Sequence, residues 1–213
     1  MNTKFEINHS TNCGKRIFDL VFSSLALLLC LPLFPLIALA IKLNSAGPVL
    51  YKQLRVGRSF PEHIQLFEMI KFRTMVIDAE SKTGAVWAKK HDPRITAFGL
   101  FLRKTRLDEL PQFINVIKGE MSLIGPRPER PSFYQKLEMA IPFFTERTYG
   151  VSPGITGLAQ VNQGYDTSIE DVRNKVCYDH CYALALSSPL TWLRMDISII
   201  LRTIIVVVMG RGQ

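Results

Sequence analysis

The sequence predicts an α/β protein that is mostly helical, contains a small β-hairpin and is a monotopic membrane protein, attached to the bilayer from one side. Three observations lead to this fold class. A long apolar segment near the N-terminus is interrupted by prolines, two β-rich runs follow it, and apolar residues at helical spacing dominate the remainder. At 213 residues, the chain has the size of one domain with one hydrophobic core.

The apolar segment from Leu20 to Ile41 contains no charged residue and could cross a bilayer of about 30 Å as a straight helix. Two features argue against this. Pro32 lies past the middle, where a proline removes a backbone donor and clashes with the preceding turn. Both flanks are also basic, and the positive-inside rule then places both ends on the cytoplasmic side: Lys15 and Arg16 precede the segment, and Lys42, Lys52, Arg55 and Arg58 follow it.

We therefore predict an N-terminal tail over residues 1–14, a re-entrant helix broken at Pro32 over 15–43, and a cytoplasmic domain over 44–213. A helix that enters one leaflet and returns satisfies both basic flanks. A cleaved signal peptide is the main alternative, because Ala38-Leu39-Ala40 resembles a cleavage site after an apolar core. A straight span and a buried core helix are the other two.

The remaining elements follow from local patterns. "SAGPVLYKQLRVG" and "HIQLFEMIKFRTM" predict paired strands, and residues 77–95 predict a loop or short helix. "AFGLFLRKTRL" and "DISIILRTIIVVVMG" predict helices that lie at the membrane interface. A helix is expected between them that ends at Gly119, and another between Pro131 and Arg147. Residues 125–164, rich in Pro and Gly, predict mainly loops around that helix.

The charge balance restricts the partners. With 26 Lys and Arg against 18 Asp and Glu, the net charge of +8 favours phosphorylated substrates or an acidic membrane surface. Nucleic acid is a poorer fit, because the basic residues border apolar helices and no binding module is recognisable. The four cysteines indicate a reducing compartment rather than a disulfide framework. Cys177, His180 and Cys181 are close in sequence, but packed thiols explain them better than a metal site.

The adjacent carboxylates of Asp108 and Glu109, in "RKTRLDELPQF", are the first candidate site. Asp108 is well placed to cap a helix that has Glu109 at its first position and Pro111 in its first turn. A purely structural cap is the alternative role. The helix dipole and the cations at 103, 104 and 106 are expected to keep both carboxylates ionised, as a nucleophile or metal ligand requires.

Other segments contain candidate ligands for phosphate. Arg127 lies between two prolines in "GPRP", which makes it either a stiff anion clamp or part of an ordinary surface turn. "SPGITGLAQVNQG" offers backbone donors for a phosphate and polar side chains, including Gln160, for a base or sugar. Lys71 and Arg73 are candidate ligands if the fold brings them to the same cleft, and are otherwise solvated strand residues.

Taken in order, "KRIFD", the Pro-broken apolar segment, "KFRTM", "AFGLFLRKTRLDELPQFINVIKGEMSLIGPRPE" and "PGITGLAQVN" closely resemble the bacterial sugar transferase family, the monotopic phosphoglycosyl transferases. The resemblance extends from Lys15 to about Thr203. It implies a phosphoglycosyl transferase at the cytoplasmic face of the bacterial inner membrane. Such an enzyme moves a sugar-1-phosphate from a UDP-sugar to polyprenyl (undecaprenyl) phosphate, releases UMP, and thereby starts glycoconjugate assembly.

The same resemblance implies roles for individual residues. Asp108 is expected to be the nucleophile that forms an aspartyl-phosphosugar, and Glu109 to assist it at the same centre. Mg²⁺ is the implied cofactor, with Asp108 and Asp179 as its expected ligands. The substrate-binding set is expected to be Lys71, Arg73, Arg103, Arg127 and Gln160. The sugar, the length of the lipid and the oligomeric state, a homodimer included, are left open. A membrane-surface adaptor without catalysis is the alternative function.

Overall fold

The protein is described here from a computed structural model that covers residues 7–60, 62–81, 84, 86, 92–164 and 168–209. Helices dominate this part of the chain, as predicted, and the sheets are small. In chain order the elements are α1 (His9–Cys30), α2 (Leu33–Asn44), β1 (Leu50–Ser59), β2 (Ile64–Phe72), α3 (Ala97–Thr105), a 3₁₀ turn (Leu107–Glu109), α4 (Gln112–Lys118), β3 (Ser122–Ile124), α5 (Pro131–Ala140), a second 3₁₀ turn (Thr145–Thr148), β4 (Gly154–Thr156), α6 (Leu158–Asn162), α7 (Ile169–Ala185) and α8 (Pro189–Val208).

The apolar segment forms two helices rather than one. Helix α1 ends at Cys30 and α2 begins at Leu33, and their axes differ in direction by 60°. The break at Pro32 is therefore confirmed, since proline cannot continue the hydrogen-bond ladder of α1. Among the described residues, no single helix has both the length and the apolarity needed to cross a bilayer, and only the bent α1–α2 pair reaches them jointly.

The start of α1 differs from the prediction. The helix begins at His9, inside the predicted tail, where the side chain of Asn8 accepts a hydrogen bond from the backbone N–H of Ser10. An Asx side chain at this position supplies the partner that the first helical N–H groups lack. Most of the described residues in the predicted tail, 7–14, are thus helical. The domain boundaries themselves stay a prediction.

The basic residues before the apolar segment serve the protein interior. Lys15 forms a buried ion pair with Asp196 of α8 at 3.1 Å. Arg16 donates to the carbonyl oxygens of Val116 and Ile117, at the end of α4. Asp19 accepts hydrogen bonds from residues at the start of β3. The "KRIFD" segment therefore fastens α1 to the rest of the domain, and its cations are weaker evidence of topology than the sequence suggested.

The predicted hairpin is confirmed, with β1 and β2 antiparallel and an irregularity between Val56 and Ser59. A second pairing was missed. Strands β3 and β4 are parallel, although loops were predicted around β4 and no strand was predicted at β3. Gly125 and Gly154 explain the error, because a Cβ on Gly154 would lie 2.1 Å from the backbone nitrogen of Gly125. The glycines that favour a loop in isolation permit close backbone contact here.

Four clusters of buried apolar residues lie between these elements. One of them joins α2, β2 and α3 through Ile37, Ile41, Phe72 and Leu102. The helix expected between residues 131 and 147 is shorter, since α5 ends at Ala140 and a separate 3₁₀ turn follows. The predicted C-terminal helix is confirmed as α8. Several of its large apolar side chains are exposed: Leu190, Leu193, Ile197, Leu201, Ile204 and Ile205.

Candidate active site

Asp108 and Glu109 lie in the 3₁₀ turn that connects α3 to α4. The chain enters this turn through Arg106, which adopts the left-handed conformation with φ of 58°. Helix α4 starts only at Gln112, and Pro111 occupies its cap position. The prediction that Asp108 caps this helix is therefore wrong. The extra turn comes from Arg106, a left-handed residue other than glycine that sequence patterns do not reveal.

Glu109 lies among cations from three parts of the chain. Lys71 of β2 donates to its carboxylate at 3.0 Å, and Arg106 approaches the same oxygen atom at 3.5 Å. Lys71 and Arg106, together with Arg127 farther along the chain, lower the pKa of Glu109 to about 2 despite its burial. Glu109 is therefore ionised at neutral pH. Lys71 is partly buried and paired with Glu109, and is therefore not the solvated strand residue that was the alternative.

Asp108 has a different environment from its neighbour. Its side chain is buried, and Oδ1 has no hydrogen-bond partner among the described residues. Burial, and then the negative charge of Glu109, raise the pKa of Asp108 to about 6, against the opposing effect of Lys71 and Arg103. The nearby cations thus do not keep the pKa of Asp108 low, but with a pKa of about 6 its carboxylate is still mostly ionised at neutral pH, as expected. An ionised carboxylate that lacks hydrogen bonds is a reactive oxygen nucleophile.

The Arg127 loop lies beside this pair. Gly125, at its start, packs against the backbone around Ser152 and Gly154, where no Cβ would fit. Arg55 donates to the carbonyl oxygen of Pro128. Arg127 lowers the pKa of both Glu109 and Lys71, so its charge is close enough to act on both groups. The position predicted from "GPRP" is therefore near the carboxylates, and its role as an anion clamp stays a prediction.

Arg103 contributes a further guanidinium near Asp108. It lies in the last turn of α3, donates from Nε to the hydroxyl of Thr74 at 3.0 Å, and lowers the pKa of Asp108. Lys104 is exposed, and is not among the groups that shift the pKa of either carboxylate. Of the three cations that precede the pair in sequence, Arg106 contacts Glu109 and Arg103 lowers the pKa of Asp108.

Asp179 is engaged elsewhere. It accepts a hydrogen bond of 2.7 Å from Arg147, and both side chains are buried. Arg147 also donates to the backbone oxygen of Arg127 and lies 3.8 Å from Glu129. The structure thus gives Asp179 a supporting position behind the Arg127 loop. Its predicted role as a metal ligand stays a prediction.

Two predicted substrate ligands make contacts within the fold. Arg73 donates to the backbone oxygen and hydroxyl of Ser45, and so fixes the connection between α2 and β1. Gln160 donates to the carbonyl oxygen of Ile155, while its own side-chain oxygen is buried and has no partner in the described part of the chain. Their predicted roles at the substrate remain predictions.

The sequence reading missed three residues that shape the site. Arg55 and Arg147 support the Arg127 loop, and Gln112 begins the helix after the carboxylates. Arg55 was considered only as a basic flank of the apolar segment. Its burial against Pro128 depends on a contact 73 residues away, for which the local sequence has no signal.

A divalent metal has partial support in the protein itself. Among the residues that the structure describes, no group of three or more His, Cys, Asp or Glu side chains is arranged to hold a metal ion. That includes the region of Cys177 and Cys181, whose thiols are exposed. Mg²⁺ often takes only one or two carboxylates and completes its coordination with water and substrate phosphates. The unpartnered oxygen atom of Asp108 fits that kind of site.

Comparison with known proteins adds independent evidence. The family model described as bacterial sugar transferase matches residues 10–210. The chain is 42% identical over 198 residues to the UDP-N-acetylgalactosamine-undecaprenyl-phosphate N-acetylgalactosaminephosphotransferase of Aeromonas hydrophila, covering 93% of this chain and 44% of that protein. It is 40% identical over 192 residues to the UDP-glucose:undecaprenyl-phosphate glucose-1-phosphate transferase of Escherichia coli (strain K12), covering 89% and 39%.

A third relative is closer in length. The exopolysaccharide production protein ExoY of Rhizobium meliloti (strain 1021) is 36% identical over 214 residues, covering 94% of this chain and 88% of that protein. The chain therefore spans less than half of the Aeromonas and Escherichia relatives, but most of the Rhizobium one. Each of the three matches covers at least 89% of this chain, so the matched region extends over the carboxylate pair and the Arg127 loop.

Proposed function

The chain belongs to the bacterial sugar transferase family, and from this premise we propose that it transfers a sugar-1-phosphate from a UDP-sugar to undecaprenyl phosphate. The printed activities of the Aeromonas and Escherichia relatives support this substrate class. The observation that carries the proposal is the buried oxygen atom of Asp108, which has no hydrogen-bond partner among the described residues and lies near several cations. This reaction would begin the assembly of a bacterial glycoconjugate at the membrane.

The first step uses Asp108 as the nucleophile. Its carboxylate oxygen attacks the phosphorus that bears the sugar, and a new oxygen–phosphorus bond forms. The bond from that phosphorus to the bridging oxygen breaks, and UMP leaves with the electron pair. The product is a covalent aspartyl-phosphosugar. Burial supports this role, because a carboxylate stripped of water and hydrogen bonds is a stronger nucleophile.

The second step returns the carboxylate to its free state. An oxygen atom of undecaprenyl phosphate attacks the same phosphorus, and the bond from phosphorus to Asp108 breaks. The lipid then carries the sugar through a diphosphate. Because one diphosphate replaces another, positioning and electrostatic stabilisation are sufficient for catalysis.

The surrounding cations have complementary roles. Arg127 and Arg103 would bind the phosphate oxygens, and Arg127 is suited to this because its planar fork matches two of them. Lys71 holds Glu109 in place through their partly buried ion pair. Glu109, ionised at neutral pH, could hold a metal ion and, through that ion, position the incoming lipid phosphate.

Mg²⁺ is the proposed cofactor, with Asp108 and Glu109 as the carboxylates that would hold it. When bound, it would neutralise charge on the diphosphate. Asp179 is the further ligand expected from the family resemblance. Its ion pair with Arg147 makes it the less accessible of the three carboxylates.

The α1–α2 pair supports a re-entrant attachment to the cytoplasmic face of the inner membrane. Its exposed apolar side chains extend along both arms of the bend, and include Leu25, Leu28, Leu29, Leu36 and Leu39. The exposed apolar side of α8 and of α3, where Phe101 is half exposed, would rest at the interface. This arrangement would bring the lipid phosphate to Asp108 without a transmembrane span.

The test is an assay of the purified protein in detergent with Mg²⁺, undecaprenyl phosphate, and either UDP-N-acetylgalactosamine or UDP-glucose. We expect UMP release that requires the lipid for repeated turnover. Without lipid, the peptide containing residue 108 should gain the mass of a sugar phosphate. Absence of UMP release across a wider panel of UDP-sugars would favour the membrane-surface adaptor instead.

A further inference from the structure

Gln112 is the buried polar side chain near the carboxylates that has no assigned role. It is the first residue of α4 and is 2% exposed. Its Nε2 atom has no hydrogen-bond partner among the described residues. A buried donor without an acceptor loses its bonds to water and gains nothing in return, so native proteins rarely retain one without a reason.

The backbone places this donor about one turn from Asp108. Leu110 and Pro111, which separate the 3₁₀ turn from α4, both have right-handed helical backbone angles. Residues 107–118 therefore follow one right-handed helical path, which is 3₁₀ at its start and α-helical from Gln112 onward. The two atoms without partners among the described residues, Oδ1 of Asp108 and Nε2 of Gln112, thus belong to neighbouring turns of this path.

Asn115, one turn after Gln112 on α4, is an example of a buried amide with a purely structural role. Asn115 is fully buried, accepts from the N–H of Ile70, and donates to the carbonyl oxygen of Glu68 and to Glu120. These bonds fix α4 against β2, and the amide of Asn115 is fully used. Gln112, one turn closer to Asp108, makes no such bond within the part of the chain that the structure describes. The contrast indicates that the acceptor for its Nε2 atom is not one of these residues.

We infer that the side-chain amide of Gln112 donates a hydrogen bond to a non-bridging oxygen of the phosphoryl group that Asp108 attacks. This inference rests on the proposed function, and it adds a neutral donor to the cations already described. The two unpartnered atoms are chemically complementary to the two features of a phosphoryl group: Oδ1 to the electrophilic phosphorus, and Nε2 to an oxygen bound to it. Negative charge on that oxygen is held more strongly by a fixed donor that water does not reach.

The test replaces Gln112 by methionine, which has a similar length and no donor. We expect single-turnover UMP release, measured without lipid acceptor, to slow by about 100-fold, as for loss of one fixed donor to a developing oxyanion. The melting temperature of the free protein should stay the same or rise, because no bond in the fold is lost. Gln135→Met, on the exposed surface of α5, is the matched control and should change neither quantity.

A second variant, Gln112→Glu, keeps the shape but presents an acceptor, and should slow the same step at neutral pH. A normal rate of UMP release in Gln112→Met would overturn the inference and leave the proposed function intact. A slow rate accompanied by a clear fall in melting temperature would also overturn it, since that pair of results identifies a structural bond. Failure of the wild-type protein to form an adduct at residue 108 would overturn the proposed function, and this inference with it.

Discussion

Arg147 donates a hydrogen bond of 2.7 Å to Asp179, and this buried ion pair lies behind the loop that presents Arg127. The pair connects the second 3₁₀ turn to α7. Because Arg147 also donates to the backbone oxygen of Arg127, the position of that loop depends on a carboxylate 32 residues from its partner.

Asp179→Asn should therefore reduce stability. Removing one charge leaves Arg147 buried with only Glu129 at 3.8 Å, and we expect a loss of about 3 kcal/mol in the free energy of unfolding. Denaturant titration would measure it. Glu170→Gln, which breaks an exposed pair with Arg173 at the start of α7, is the control and should cost less than about 1 kcal/mol. Unchanged stability together with a higher Mg²⁺ requirement would instead identify Asp179 as a metal ligand.

Asp108→Asn should abolish the adduct and stabilise the fold. The folded state raises the pKa of Asp108 from 3.8 to about 6, so its carboxyl group favours folding at low pH. That contribution is complete below pH 3.8 and disappears as the pH rises through about 6. In EDTA, the stability of the variant relative to the wild type should therefore increase as the pH rises through this window. An adduct that persists in the variant would contradict the role of Asp108 as nucleophile.

Arg127→Lys should lower activity severalfold or more in a protein that remains folded. Lysine keeps the charge but loses the planar fork that binds two phosphate oxygens. The backbone oxygen that accepts from Arg147 is unchanged, so the melting temperature should be as well. Steady-state kinetics with the UDP-sugar would measure the effect. Arg173→Lys, on the surface of α7, serves as control; equal activity in the two variants would mean that charge alone matters.

Arg16→Met should destabilise the protein by about 1–3 kcal/mol. The carbonyl oxygens of Val116 and Ile117 at the end of α4 would lose a charged donor, and such bonds contribute more than neutral ones. Thermal unfolding would show the loss. Lys118→Met removes an exposed charge from the same helix end and should have a smaller effect. Equal effects would mean that Arg16 acts only through its charge.

The topology of the α1–α2 pair is testable with thiols at its two ends. Cys13 is naturally exposed before the apolar segment, and Ala46→Cys would add an exposed thiol after it. With the other cysteines replaced, a membrane-impermeant reagent should label neither site in intact cells and both after lysis. Labelling of one site alone would indicate a transmembrane span. Loss of the N-terminal segment from the mature protein would indicate a cleaved signal peptide. Pro32→Ala should favour the span, because alanine restores the backbone N–H whose absence at Pro32 breaks the helix.

Much of the fold was readable from local sequence. Pro32 fixed the break between α1 and α2, and Gly119 ended α4 in the left-handed conformation with φ of 85°. Two neighbouring β-rich runs identified the hairpin. In each case the preference lies within a few residues, through a missing N–H, an absent Cβ or a high content of strand-forming side chains. The parallel pairing of β3 with β4 had no such signal, because it depends on two glycines brought together from distant positions.

The sequence by itself determined which residues are candidates for the chemistry, while tertiary structure decided their ionisation and their partners. Asp108 and Glu109 are adjacent and were recognised as a pair, yet folding separates their pKa values to about 6 and about 2. The difference arises because Lys71, 38 residues earlier in the chain, pairs with Glu109, whereas burial leaves Oδ1 of Asp108 without a partner. Desolvation and long-range charge depend on packing, which no local pattern encodes.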